Sequence, residues 1–122
     1  MMTVGKLLAH DGPFSRLVRS LRGSIEYVHD GVEDGFHLTL ENGVQLSVQY
    51  HRGSYCDTEG LAATEVEIAI GREGKCIWRG DDAPLPEEVV GWVPVEDIAS
   101  IASAVHDERW ATLRYIARGR NR

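Results

Sequence analysis

FHLTLENGVQLSVQYHRGSYCD, at residues 36–57, is the stretch that decides the fold. Apolar residues alternate with polar ones along 36–40 and again along 44–50, which is the period of half-buried strands. Asn42-Gly43 lies between the two runs, and this pair favours the positive φ angles of a type I′ turn. The stretch therefore predicts a β-hairpin closed by a type I′ turn.

The hairpin is followed by a short loop, residues 51–57 (HRGSYCD), that is dense in functional groups. An imidazole, a guanidinium, an aromatic ring, a thiol and a carboxylate occur together at the end of a strand. This mixture suggests a site, but the residue types alone specify no reaction. A thiol nucleophile at Cys56 with His51 as its base is one alternative, although spacing establishes neither a positioned imidazole nor a third, orienting group. A half-buried structural cysteine is the interpretation that we favour.

The segments around the hairpin predict further strands and one helix. An amphipathic helix is predicted over 13–22, beginning at Pro13 and ending at Gly23. Strands are predicted over 24–30, 64–70 and 75–79, with a tight turn at 71–74 between the last two. Residues 80–94 contain three of the four prolines and two acidic pairs, and they predict a loop with one short extended piece at 89–93.

The C-terminal segment predicts one helix or two. Pro94 is suited to a helix start, and an apolar stripe at helical spacing follows it: Val95, Ile98, Ile101, Ala102 and Val105. An unbroken helix would place Arg109 on the apolar side. Either the helix breaks near Asp107 and restarts at Trp110, which we favour, or Arg109 points into a pocket.

The sum of these segments predicts an α+β fold. It is a mostly antiparallel β-meander of about five strands, with an N-terminal helix and one or two C-terminal helices. One domain is predicted to span 1–122, with flexible segments at 1–10 and 118–122.

Composition narrows the classes of function. The net charge of -6 argues against a general nucleic-acid binder, whose surface would be basic. It still leaves room for a small anionic ligand, because two or three arginines suffice to bind one. No apolar run approaches the roughly 20 residues that span a bilayer, and no signal-peptide core is seen at the N-terminus, so we expect a cytoplasmic protein with no membrane partner. Cys56 and Cys76 are expected to be reduced thiols rather than a disulfide.

Motifs for metals, phosphate loops and cofactors are weak in this sequence. The five histidines have no metal-ligand spacing, and the glycines at 71 and 74 lack the lysine and the strand-to-helix setting of a nucleotide-hydrolase loop. The acidic pairs are read as solvated charge. We therefore expect neither a metal site nor a cofactor, and no enzymatic activity.

Arginines and aromatic residues form a more suggestive set. Its members are Arg52, Tyr55, Trp78, Arg79, Trp92, Arg109 and Trp110. Aromatic faces stack on bases, and guanidinium groups bind phosphate oxygens in pairs, so such a set suits a nucleotide-like ligand without any catalytic base. The alternative is that the indoles belong to the core and each arginine is solvated.

Two motifs carry a family resemblance that covers about half of the chain. The segments ENGVQLSVQYHRGSYCD (41–57) and GWVPVEDIASIA (91–102) resemble a group of small phage and prophage proteins with an ENG…SVQ…YC core. This group is similar to the Thoeris anti-defence sponges, phage proteins that sequester cyclic ADP-ribose signals made by bacterial TIR-domain enzymes, some of which also hold cyclic oligonucleotides. The chain departs from the pattern at His51 and Ser54, where the group is expected to have Gly and Asn.

The resemblance implies a binding protein without catalysis. It implies capture of a small cyclic nucleotide by a homo-oligomer, a dimer or higher, in the cytoplasm of the host cell. The candidate ligand-binding residues combine this expectation with the arginine and aromatic set: Arg52, Tyr55, Trp78, Arg109 and Trp110. The alternative function is an acidic interaction module that inhibits a host protein by occlusion.

Overall fold

A five-stranded antiparallel sheet forms the centre of the protein. The computed structural model describes residues 1–30, 32–72, 84–85 and 89–117. The strands pair in sequence order, and they are β1 (Ser24–His29), β2 (Asp34–Thr39), β3 (Val44–Gln49), β4 (Glu65–Arg72) and β5 (Val89–Pro94). The α-helices are α1 (Val4–Leu7), α2 (Pro13–Ser20), α3 (Ile98–His106) and α4 (Trp110–Ile116), with short 3-10 helices at Gly60–Ala62 and Val95–Asp97. The α+β prediction, a meander with helices at both ends of the chain, is confirmed.

The β2–β3 hairpin is confirmed, but its turn differs from the prediction. Leu40 N–H donates to Val44 O and Gly43 N–H donates to Leu40 O, which encloses three residues between the strands rather than two. Of these three, Gly43 alone takes a positive φ, at 83°, as in a type I turn followed by a left-handed glycine. Asn42 uses its side chain instead. Its amide donates to the Val105 and His106 carbonyls and so caps α3.

The core lies on one face of the sheet, against the helices. The alternating apolar residues of the hairpin are 0–2% exposed, as the period-two pattern predicts. The Phe14 ring of α2 packs against Phe36 of β2, with ring centroids 6.1 Å apart. The predicted stripe of the C-terminal helix is also fully buried, from Val95 to Val105. Burial of this apolar surface is the main favourable term in folding.

The fifth strand coincides with the short extended piece predicted at 89–93 within the loop over 80–94. In the structure this piece, Val89–Pro94, pairs with β4 as β5. The predicted turn at 71–74 begins too early, because Gly71 and Arg72 still pair with β3. The predicted strand at 75–79 lies outside the described residues. The burial of Val90 and Val93 explains why an apparently irregular, proline-bounded segment joins the sheet.

Two helix ends use left-handed residues other than glycine. Arg22, with φ 55°, ends α2, whereas the predicted terminator Gly23 is needed for space, since a Cβ there would lie 3.0 Å from Leu38 Cδ1. Glu108, with φ 53°, ends α3, and Arg109 N–H donates back to Ala104 O at 2.9 Å. The predicted helix break near Asp107 is confirmed.

The N-terminal segment, which the sequence predicts to be flexible over 1–10, contains the short helix α1. This helix begins with Thr3 Oγ1 accepting a hydrogen bond from Lys6 N–H. Val4 is fully buried, and its N–H donates to Ala63 O at 2.9 Å. Residues 118–122 lie outside the described part of the chain. Within that part, every helix is too short or too polar to cross a bilayer.

Candidate functional site

The segment 51–60, here called the HRGSYC loop, leaves the end of β3 and closes on itself. Ser54 N–H donates to His51 O at 3.0 Å, and Gly60 N–H returns to Tyr50 O at 2.8 Å. Gly53 has a φ of 99° and lies in open space, so its glycine is required by the backbone and not by packing. The loop is therefore a folded surface feature with its ends joined.

Asp57 fixes the far side of this loop. Its carboxylate accepts hydrogen bonds from Thr64 N–H and Glu65 N–H, both at 2.9 Å, and from the Thr64 hydroxyl at 2.6 Å. Partial burial raises the pKa of Asp57, but the hydrogen bonds from Thr64 outweigh it, so that the pKa is lowered overall. The carboxylate serves the structure of the loop and is not available as a general base.

Tyr55 anchors the middle of the loop to β5. Trp92 N–H donates to Tyr55 O at 3.0 Å, and the two rings lie 6.3 Å apart at 47°. Gly91 makes this approach feasible, because a Cβ there would overlap the Tyr55 side chain. Trp92 takes a φ of 57°, in a region that bulky residues rarely adopt, where β5 shifts register against β4. This φ costs about 1–3 kcal/mol, so the contact between Tyr55 and Trp92 forms although the backbone of Trp92 disfavours it.

Two adjoining clefts flank the loop and share His51, Arg52 and Glu59. One, of 230 Å³, lies toward the β1–β2 turn and is also lined by His29, Glu33 and Asp34. The other, of 280 Å³, lies over the loop and is also lined by Gly53, Ser54, Cys56 and Thr58. Each is smaller than the ~300–1,000 Å³ of pockets that enclose a drug-sized ligand. One subunit would therefore cover a nucleotide only in part.

Hydrogen-bonding groups in the second cleft have no partner within the described residues. His51 Nδ1 and Ser54 Oγ are both buried and unpaired, and both residues line this cleft. A buried polar atom without a hydrogen bond costs about 1–3 kcal/mol, so such atoms usually meet water or a ligand. The exposed Arg52 is the group that the site offers directly to a polar ligand, and His51 Nδ1 and Ser54 Oγ would reach a ligand after the loop adjusts.

The charge around the loop is mixed. Arg52 is the cation of the two clefts, and the carboxylates of Glu33, Asp34 and Glu59 line them. Asp34 Oδ1 lies 3.3 Å from His29 Nδ1, which turns this carboxylate toward the imidazole. The cleft over the loop has the fewer carboxylates of the two, and it is the better place for an anionic group.

Cys56 has the properties of a structural thiol. Its Sγ contacts the His51 carbonyl oxygen at 3.7 Å and not the imidazole. Burial, followed by the carboxylates of Asp57, Glu67 and Glu59, raises the pKa of the thiol, which is the opposite of what a thiolate nucleophile needs. The thiol is free, as expected from the sequence, whereas Cys76 lies outside the described residues.

The predicted ligand-binding residues fall into two groups. Arg52 and Tyr55 lie together on the HRGSYC loop, and both are exposed. Trp78 lies outside the described residues. Arg109 and Trp110 follow α3 at the other end of the sheet.

A cluster at the β2–β3 turn fixes the position of that second group. His106, the last residue of α3, contacts Glu41 Oε1 through Nε2 at 3.0 Å and Asp107 Oδ1 through Nδ1 at 2.8 Å. Arg109 is 53% exposed and lies 3.6 Å from Asp107, and Trp110 packs against the core. The six residues of β3 separate this turn from the HRGSYC loop, about 20 Å at ~3.3 Å per residue. One subunit therefore does not bring the two groups into one cleft.

The sequence does not predict several residues of the site. His51 and Ser54 depart from the motif of the resembling phage proteins, but neither is among the predicted ligand-binding residues, and Glu59 is not either. Trp92 belongs to the arginine and aromatic set and is not a predicted ligand-binding residue, although the Gly91-Trp92 pair is a usable signal for close packing. No cluster of His, Cys, Asp and Glu in the described ranges has a metal-binding arrangement.

Comparisons with known proteins add no constraint on this site. Protein-family models, curated proteins and solved structures were each compared with the chain, and none matches. The functional assignment therefore depends on the geometry of the HRGSYC loop and on the resemblance of two short motifs.

Proposed function

We propose that this chain binds a small polar ligand at the HRGSYC loop and releases it unchanged. The single observation that carries the proposal is the pair of buried atoms without a hydrogen bond, His51 Nδ1 and Ser54 Oγ, in two residues that line one cleft. Arg52 supplies a cation next to them, and Tyr55 supplies an exposed ring. Binding needs these groups and no nucleophile, and the raised pKa of the Cys56 thiol agrees with that requirement.

The ligand class in this proposal is a cyclic ADP-ribose-type or cyclic oligonucleotide signal. The support for this class is the sequence resemblance to the Thoeris anti-defence sponges. Sequestration of such a signal in the host cytoplasm would make the chain a phage anti-defence protein. A phosphate would bind at Arg52 in the cleft over the loop, and a base would stack on the exposed part of Tyr55.

Thermal unfolding in the presence of a cyclic nucleotide panel tests the proposal. A bound ligand at 100 times its Kd stabilises the folded state by about 2.7 kcal/mol, which corresponds to a rise in Tm of about 10 °C for a domain of this size. The ligand recovered after heat denaturation should be intact. A panel of cyclic ADP-ribose isomers and cyclic dinucleotides that leaves Tm unchanged would end the proposal.

Two variants locate the effect. Arg52→Ala and Ser54→Ala should each reduce the ligand-induced rise in Tm, because each removes a polar contact of the cleft. Arg114→Ala is the matched control, since it removes an exposed arginine of α4, far along the chain from the loop. Equal loss in Arg52→Ala and Arg114→Ala, with none in the uncharged exchange Ser54→Ala, would show that net charge matters and not the cleft.

A second candidate function, occlusion of a host protein by an acidic surface, is favoured by one observation. Glu33, Asp34 and Glu59 surround Arg52 in the cleft next to the β1–β2 turn. Glu33→Gln with Glu59→Gln should strengthen binding of an anionic nucleotide by reducing repulsion. The same double variant should weaken the binding of a host protein that docks a basic surface here, and a pull-down measures that binding. The direction of the change therefore distinguishes the two functions.

A further inference from the structure

The edge strand β1 lacks the usual protection against pairing with another strand. It has a neighbour on one side alone among the described strands. Its pairing with β2 is continuous from Ser24 to His29, without a bulge. Natural edge strands are commonly interrupted by proline, lysine or a bulge, and β1 carries a single acidic residue, Glu26, instead.

The hydrogen-bond pattern shows which backbone groups of β1 face the open edge. Asp30 N–H donates to Glu33 O at 3.2 Å, and Tyr50 N–H donates to Asp34 O at 2.9 Å. Hydrogen-bonded and non-bonded pairs alternate along an antiparallel ladder, so the even-numbered residues of β1 bond to β2. The backbone N–H and C=O groups directed to the open edge are those of Ile25, Tyr27 and His29.

The side chains at this edge are apolar on the face toward the helices. Tyr27 is 60% exposed, although it is paired with the fully buried Phe36. Together with Ile25 it borders a groove of 250 Å³ that continues to Leu7 and Phe14. This edge can therefore accept apolar side chains from a strand laid beside it.

The charges at the two ends of β1 have opposite sign. Arg22 is exposed two residues before the strand, where its left-handed φ of 55° ends α2, and Asp30 is exposed immediately after the strand. Asp30 accepts hydrogen bonds from Val32 N–H and Glu33 N–H, and both bonds use Oδ1 rather than Oδ2. An antiparallel copy of the same strand would bring each cation opposite an anion.

We propose that two copies of this chain pair through β1, antiparallel, around a two-fold axis at Glu26. This register sets Ile25 opposite the partner's Tyr27, and the reverse, as two hydrogen-bonded pairs whose backbone groups already face outward. It also brings Arg22 to the end of the ladder at which the partner's Asp30 lies, twice, and the two five-stranded sheets become one of ten strands. Glu26 meets its own copy at the axis, which weakens the pairing and keeps it reversible. The inference is independent of the ligand.

A register shifted by two residues is the closest competitor. It would place Tyr27 opposite its own copy and Ser24 opposite Asp30. The backbone groups would still pair, but Arg22 would lie roughly 7 Å further from the partner's Asp30, at ~3.4 Å per residue. Charge complementarity therefore favours the register centred on Glu26.

Analytical ultracentrifugation over a range of concentrations tests the interface. The wild-type chain should show a monomer–dimer equilibrium, and Tyr27→Pro should be monomeric, because its lost N–H faces the edge and not β2. Hydrogen exchange gives a reading without substitution: the amides of Ile25 and Tyr27 should become slower with protein concentration, and those of Glu26 and Val28 should not. A wild-type chain that stays monomeric, or a dimer that Tyr27→Pro leaves intact, would overturn the proposal.

Charge variants test the register. Arg22→Asp should raise the dimer Kd about tenfold, since two weak attractions become repulsions. Adding Asp30→Asn should recover part of the affinity, because the amide oxygen keeps both turn hydrogen bonds while the repulsion disappears. Arg114→Asp makes the same change in net charge on α4 and should have little effect. Equal effects of Arg22→Asp and Arg114→Asp would refute the register centred on Glu26.

Discussion

At the scale of single residues, His51 and Ser54 carry the functional argument. Each has a buried polar atom without a partner in the described part of the chain, and both border the same cleft. They are also the two positions at which the chain departs from the motif of the phage proteins that it resembles. Under the proposed function both departures lie beside the ligand, and we expect them to alter which cyclic nucleotide is preferred.

His106 makes the stability of the C-terminal helix pair depend on pH. Hydrogen bonds with Asp107 and then with Glu41 raise its pKa above 6.5. A raised pKa in the folded state adds stability that is fully present below the unfolded value, about 6.5, and is lost as the pH rises through the folded value. The free energy of unfolding should therefore fall above pH 6.5, as measured by urea denaturation at a series of pH values.

His106→Gln and Glu41→Gln are the matched variants for this measurement. His106→Gln should remove the part of the decline that His106 causes, and Glu41→Gln should reduce it, because one of the two carboxylates is neutralised. Asp107 retains Arg109 as a partner in both variants. A decline above pH 6.5 that is identical in wild type and His106→Gln would contradict the assignment.

At the scale of elements, the HRGSYC loop depends on β5 for its position. The Trp92–Tyr55 backbone hydrogen bond and the tilted contact of the two rings join a surface loop to a strand with which it shares no ladder. Trp92 adopts a left-handed φ to do so. Rigid support of this kind is what a binding loop needs in order to keep its contacts in place.

Gly91→Ala tests this support. The added methyl group would overlap Tyr55, and we expect a loss of about 1–3 kcal/mol in the free energy of unfolding, together with displacement of the loop. Ligand-induced stabilisation should fall as well. Gly43→Ala is the comparison, because that residue has open space and a φ of 83°, so its cost of about 1–2 kcal/mol comes from the backbone alone.

The two variants should therefore differ in ligand binding and not in stability. Denaturant unfolding measures the loss of stability, and the rise in Tm on ligand addition measures binding. Gly43→Ala should keep the full ligand-induced rise. If Gly91→Ala also keeps it, the anchor on β5 has no part in the site.

At the scale of the whole molecule, periodicity predicts most of the fold and little of the site. The hairpin follows from the alternation of apolar residues, and the stripe at 95–105 follows from helical spacing. The break near Asp107 follows from Arg109, which an unbroken helix would place on the apolar side. The extended piece at 89–93 follows as well, but its pairing with β4 and its bulge at Trp92 do not, because both are tertiary features. The turn at Asn42 likewise depends on a contact with α3, because the Asn42 amide donates to Val105 O, 63 residues away in sequence.

The arrangement of arginines and aromatics shows the same limit. Arg52 and Tyr55 are close in sequence, and the loop keeps them close in space. Arg109 and Trp110 are brought instead to the opposite end of β3, because His106 binds the β2–β3 turn. Sequence alone gives the residue types that suit a ligand, whereas the strand directions decide which of them meet.

An NMR titration of the amide resonances with cyclic ADP-ribose isomers tests the binding claim most directly, since the 13.5 kDa chain gives resolved spectra. We expect saturable chemical-shift changes concentrated at 51–60 and at Trp92, and the changes at His51 and Ser54 should be among the largest. Shifts confined to Arg109 and Trp110, or no shifts with any isomer, would contradict it.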